Sequence, residues 1–292
     1  MARTLPDRAQ PMHLRREPPS MTHVRRTVLA TFATLAAGAA QAASITVDHT
    51  DFDGAIAANS STAIVSEGGL SLTWKAEATV NDTIQNRLFQ KKDSPMPNAA
   101  PALKGIGVRG ATAGEIDVGE RLIATAGPGQ SFRIDRLVLG LLFDGPEFGD
   151  VQEQAQITAH LLGGGSIIGV LQNTFETAPA SPDNDTTWDK AVWTLTQGNI
   201  TSPGGAPQNL SPSTHHRGAV WELTNPFGSA QITKLVFTAI PGTRHSSCSW
   251  CSNQSDYTFI SMNATVPEPA TLGLLGLGLL GAAGAARRRR AA

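Results

Sequence analysis

Short apolar runs, each cut off by a turn signal, limit what most of this chain can become. Ser44-Ile45-Thr46-Val47 alternates and reads as an opening strand. Thr62–Ser66 and Leu70–Trp74 flank Gly68-Gly69, a hairpin signal. Gly105–Arg109 and Arg121–Ala126 are further strand candidates on either side of an acidic turn. Ser131–Phe143 is the strongest, because Phe132, Ile134 and Leu137–Leu142 form a nearly continuous apolar run, which suits a central strand buried on both faces. Ala155–Leu162 and Ile167–Leu171 flank Gly163-Gly164-Gly165, and Trp188–Thr196, Ala219–Thr224, Gln231–Ile240 and Tyr257–Val266 follow. Thr83–Lys92 reads as a short helix stopped by Ser94-Pro95-Met96-Pro97-Asn98. With about ten short strands, no long helix and no internal repeat, the expected class is all-β. The expected architecture is an antiparallel β-sandwich, jelly-roll-like, with an immunoglobulin-like sandwich as the alternative.

The last residues of the chain do not fit that pattern. Pro267-Glu268-Pro269 is followed by an uncharged run, Ala270–Ala286, and then by Arg287, Arg288, Arg289 and Arg290. Seventeen residues of helix span roughly 26 Å, which just reaches across a hydrocarbon core of about 30 Å. The arginines hold their end on the cytoplasmic side. The two prolines fit an extended stretch outside the membrane.

Triplet, apolar run and basic cluster, in this order over Val266–Ala292, resemble the PEP-CTERM sorting signal of Gram-negative bacteria. The resemblance implies exosortase, a membrane-embedded Cys-dependent enzyme, as partner, acting at or near Pro267-Glu268-Pro269. It also implies a transmembrane sorting helix, a transient inner-membrane intermediate, and delivery to the cell surface or an extracellular polysaccharide matrix. A plain C-terminal anchor would need no such triplet.

The other end agrees with export. Arg25 and Arg26 precede a short apolar stretch, Thr27–Gly38, and Ala40-Gln41-Ala42 is a small-x-small site for signal peptidase, with cleavage after Ala42. Residues 1–20 read as an upstream extension with Met21 as the start. The expected organisation is therefore signal peptide 21–42, β-sandwich 43–265 and sorting signal 266–292. Between the signals, Ala43–Pro269 carries 13 basic and 22 acidic residues, a net charge of −9. Such a body does not suit nucleic acid or an anionic polysaccharide held on a basic patch.

Two acidic turns are candidates for chemistry. Glu115, Asp117 and Glu120 lie in one, and Asp144, Glu147 and Asp150 in the other, with Glu153 just beyond. Crowded carboxylates suit Ca²⁺, which takes six to eight oxygen ligands, or a pair acting on glycosidic bonds. Asp and Gly also simply make solvated turns. Cys248 and Cys251, the only cysteines, are expected to form a disulfide in an exported protein. His245 and Asp256 are nearby, but a zinc site would need a further cysteine pair. Of five tryptophans, Trp74, Trp193 and Trp221 sit in apolar strand patterns and suit a core, whereas Trp188 and Trp250 lie at loops and suit a sugar contact. The preferred function is a non-enzymatic exported protein with a structural or adhesive role in matrix or biofilm. The alternatives are a carbohydrate-binding jelly-roll module, in a form dependent on Ca²⁺ as cofactor or without it, and then a polysaccharide-active hydrolase.

Overall fold

The computed structural model describes residues 43–78, 85–91, 104–143, 145, 149–174, 190–195, 205–210, 220–244, 248–252, 254–266, 278 and 281. Residues 42–267 form one compact unit. The expected signal peptide and nearly all of the sorting segment lie outside the described residues. Among the described residues, no helix is long and apolar enough to cross a membrane.

The described body is built from fourteen strands: β1 (Ala43–Asp48), β2 (Thr62–Glu67), β3 (Leu70–Glu77), β4 (Leu88–Lys91), β5 (Gly105–Val108), β6 (Arg121–Ala126), β7 (Arg133–Gly140), β8 (Gln152–Leu161), β9 (Ser166–Thr174), β10 (Lys190–Leu195), β11 (Gln208–Asn209), β12 (Val220–Thr224), β13 (Ile232–Thr243) and β14 (Thr258–Val266). A 3₁₀ turn, His49–Phe52, and one short helix, α1 (Asp53–Ala57), follow β1. The strands form two sheets. One runs β11-β12-β7-β14-β5-β4, with β1 also paired to β14. The other runs β10-β9-β8-β13-β6-β3-β2. All ladders between named strands are antiparallel. Successive strands change sheet along much of the chain. β5, β7, β12 and β14 lie in the first sheet, whereas β6, β8, β9 and β13 lie in the second.

Several strands bury alternate side chains, as a half-buried pleat requires. In β3 these are Leu70, Leu72, Trp74 and Ala76, and in β8 they include Ala155, Ile157 and Ala159. The two inner faces meet in one hydrophobic core. Trp74 and Phe237 of the second sheet stack with ring centroids 6.2 Å apart. Both meet Phe259 of the first sheet, at 4.9 and 5.6 Å. β7 lies between β12 and β14, and its last four residues are buried whichever face they occupy. The Gly68-Gly69 turn has φ of +57° and +84°, the two positive angles that a two-residue hairpin between twisted strands needs.

One expectation is corrected. Leu88–Lys91, placed by sequence in a helix, is strand β4. It pairs along its whole length with β5, and that edge pairing outweighs a weak local helix preference. β11, within a stretch read as loop, pairs two residues with β12.

Candidate functional site

Three connections meet at one end of the sandwich. Gly140 at the end of β7 pairs with Thr258 at the start of β14, and Thr243 at the end of β13 pairs with Gln152 at the start of β8. The β5–β6 connection joins them, because the Ile116 N–H donates to the Tyr257 carbonyl over 2.7 Å and Val118 bridges to Ala239. The two acidic turns, 29 residues apart between Glu120 and Gly149, thus become neighbours, joined by the residues just before β14.

Most of the carboxyl groups gathered here are shielded from solvent, and Asp117 is half-buried. Glu115, Glu120, Asp150, Glu153 and Asp256 are all buried. Glu153 is fully enclosed, with Oε2 accepting the Phe143 N–H at 2.5 Å and Oε1 the Asp256 N–H at 3.3 Å. Glu120 folds back on its own loop. It accepts the Ala111 N–H at 2.9 Å and the Asp117 N–H at 3.2 Å. Gly110 makes room for it, since a Cβ there would lie 1.4 Å from Glu120 Oε1. Asp117 accepts the backbone N–H and the hydroxyl of Thr112, at 2.8 and 3.2 Å. Glu115 forms an ion pair with the Lys91 ammonium, which reaches it from β4.

Enclosure governs their ionisation. Loss of water raises Glu115, with the Asp117 charge adding to the effect and Lys91 opposing it. Burial lifts Glu120 to about 7 against its backbone donors. Burial, then the charges of Asp256 and Asp150, hold Glu153 well above the ordinary range. Burial, then Glu115, Asp117 and Asp150, push Asp256 up to about 9. Asp256 lies beside Glu115, whose own burial and ion pair with Lys91 set it against its neighbour.

At the rim of this end, Cys248 and Cys251 are joined in a disulfide with both sulfur-bearing residues buried. The four-residue ring carries Trp250, which is 66% exposed. Trp74, Trp193 and Trp221 are buried. Trp193 donates its indole N–H to the Pro226 carbonyl at 2.9 Å. Trp188, Asp144, Glu147 and His245 lie outside the described residues, as do Ala40, Ala42, Pro267, Glu268, Pro269 and Arg287–Arg290. Among the described residues, no three Asp, Glu, His or Cys side chains form a group able to hold a metal ion. A separate open hollow of about 430 Å³ lies at the opposite end, lined by Gln130, His160, Leu162 and Lys234 among others.

The structure therefore brings Glu115, Asp117, Glu120 and Asp150 into one cluster and adds Glu153 and Asp256, the latter considered from sequence only as a zinc ligand beside the cysteines. Glu153 had been counted only as part of an acidic stretch, and it is enclosed by contacts with Phe143 and Asp256 from distant parts of the chain. Asp256 is a lone acid before a strand, and no local pattern links it to the acidic turns. Leu141, between β7 and this cluster, has φ of +63°, an uncommon angle for a branched side chain.

Residues 265–290 match the PEP-CTERM protein-sorting motif. Neither a curated protein nor a solved structure matches the chain.

Proposed function

We propose that this chain, carrying the PEP-CTERM protein-sorting motif at residues 265–290, displays or releases a jelly-roll sandwich in an extracellular polysaccharide matrix, without catalysing a reaction. Export and sorting by exosortase to the cell surface follow from the motif itself. The structural role in matrix or biofilm is the further step, and the motif is the observation that carries it. The jelly-roll reading is supported by the strand orders β5-β14-β7-β12 and β6-β13-β8-β9, because that interleaving of two sheets is the double Greek-key winding. β14 runs directly into the sorting segment, with Val266 its last residue and Pro267 the first of the triplet. Processing there would leave every strand of the body intact.

The test is intact-mass measurement and fractionation of the native protein in cells with and without exosortase. The expected surface form begins at Ala43 and ends near Pro269, and it is retained in the inner membrane with its tail when exosortase is deleted. A surface form carrying Arg287–Arg290 contradicts the processing reading. A second reading, a carbohydrate-binding body, is favoured by the exposure of Trp250.

A further inference from the structure

We infer that Trp250 is the stacking platform of a binding site for an uncharged polysaccharide, and this rests on the extracellular placement proposed above. Three observations converge on it. Trp250 is exposed, although every other described tryptophan in the body is buried. An indole left in water costs about 1.5–3 kcal/mol relative to burial, so a chain that packs three others has set this one apart.

The ring is also held still. The disulfide closes a ring of four residues around it, with Cys248 and Cys251 sunk into the body. The Arg244 guanidinium donates to the Ser249 carbonyl at 3.2 Å, and the Ser252 N–H donates to the Gly149 carbonyl at 3.1 Å. One side of the indole rests on Gly149. A Cβ there would meet Cζ3 at 3.2 Å and Cε3 at 3.6 Å. Gly149 also has φ of +82°, so a side chain is disfavoured by conformation as well as by contact. A platform fixed before binding loses little entropy when a ligand arrives.

The surroundings select the ligand class. The flat apolar face of a pyranose ring suits an indole, while its rim hydroxyls need polar partners. Ser249 and Ser252, both exposed, lie on either side of Trp250 in the chain. A body of net charge −9 repels uronates and sulfated glycans. A quaternary ammonium would also stack on indole, and displacement by tetramethylammonium distinguishes that ligand from a sugar.

Full-length protein in detergent micelles is run by affinity electrophoresis through hydroxyethylcellulose, dextran and alginate, with tryptophan fluorescence in parallel. We expect retardation by a neutral polysaccharide and none by alginate. Trp250→Ala should weaken it at least tenfold with the near-ultraviolet dichroism of the core unchanged, and Trp250→Phe should fall between. Equal retardation of Trp250→Ala, preference for alginate, displacement by tetramethylammonium, or no retardation by either neutral polymer overturns the inference. A protein that is sorted and trimmed yet binds neither neutral polymer fails here alone. One that binds but keeps its tail in the inner membrane fails only the sorting reading.

Discussion

Trp74 lies where the two sheets meet, with Phe52 edge-on at 5.1 Å and Phe237 and Phe259 against its other sides. Its position follows from the alternation of β3, which sends Leu72, Trp74 and Ala76 to one face. Replacing it by alanine leaves a cavity in a core that cannot close around it, and Trp74→Ala should cost about 3–5 kcal/mol. Among the described residues its buried indole N–H has no hydrogen-bond partner, so Trp74→Phe forfeits none of the hydrogen bonds seen and should cost less than half as much. Urea titration of both variants checks the difference. Glu153 gives the opposite case, a buried polar group with both oxygens used. Glu153→Gln keeps the shape but turns an amide N–H₂ toward one of two backbone donors. It should lose about 1–3 kcal/mol, read from the same titration.

The three connections at the acidic end make stability depend on pH. In the unfolded chain, Glu and Asp carboxyls ionise near their ordinary values of 4.5 and 3.8. In the folded chain, Glu120 is raised to about 7 and Asp256 to about 9. The folded state therefore binds more protons across this interval, and ∂ΔG/∂pH is negative. The stability these groups contribute is complete below about pH 4 and is lost as pH rises through about 7 and then about 9. Melting temperature should fall steadily from pH 5 to pH 9, and a double Glu120→Gln, Asp256→Asn variant should flatten the slope. A melting temperature that climbs over this range would refute the assignment. The disulfide belongs to the same loops but acts weakly on stability. A four-residue ring removes about 2 kcal/mol of chain entropy from the unfolded state at most. Reduction should thus lower the melting temperature by a few degrees while clearly increasing the mobility of Trp250 in fluorescence anisotropy.

At the scale of the molecule, the last strand completes the first sheet. β14 pairs with β7 on one side and with β1 and β5 on the other. Ala43 lies opposite Val266, so the first and last residues of the body are partners. Such long-range pairing favours slow folding, in milliseconds to seconds, and none of it closes until β14 has been made. A chain ending at Val266 should keep one cooperative unfolding transition. A chain ending at Gln254 should lose it, because three strands and the core face of Phe259 and Met262 lose their partner. Circular dichroism during thermal unfolding separates the two. Much of this architecture is legible beforehand: β2, β3, β6, β8, β9, β12, β13 and β14 fall on alternating apolar runs bounded by turn residues. β4 and β11 are not, because short edge strands gain their conformation from a neighbour and carry little pattern of their own.

The sequence by itself determined the class of fold, the core tryptophans and the sorting tail, because each depends on residues close together in the chain. Strand periodicity is local, and so is a triplet followed by an apolar run and four arginines. Only the tertiary structure decided what became of the acidic turns. Local reading makes them solvated turns or a Ca²⁺ loop. Assembly of the two sheets buries Glu115, Glu120 and Asp150 of these turns with Glu153 and Asp256, residues 33 and 136 positions beyond Glu120 in the chain. Charge, burial and proton affinity are properties of what surrounds a group, and those surroundings exist only once distant strands have paired. The same assembly seats Trp250 on Gly149, and neither residue alone marks the other as its support.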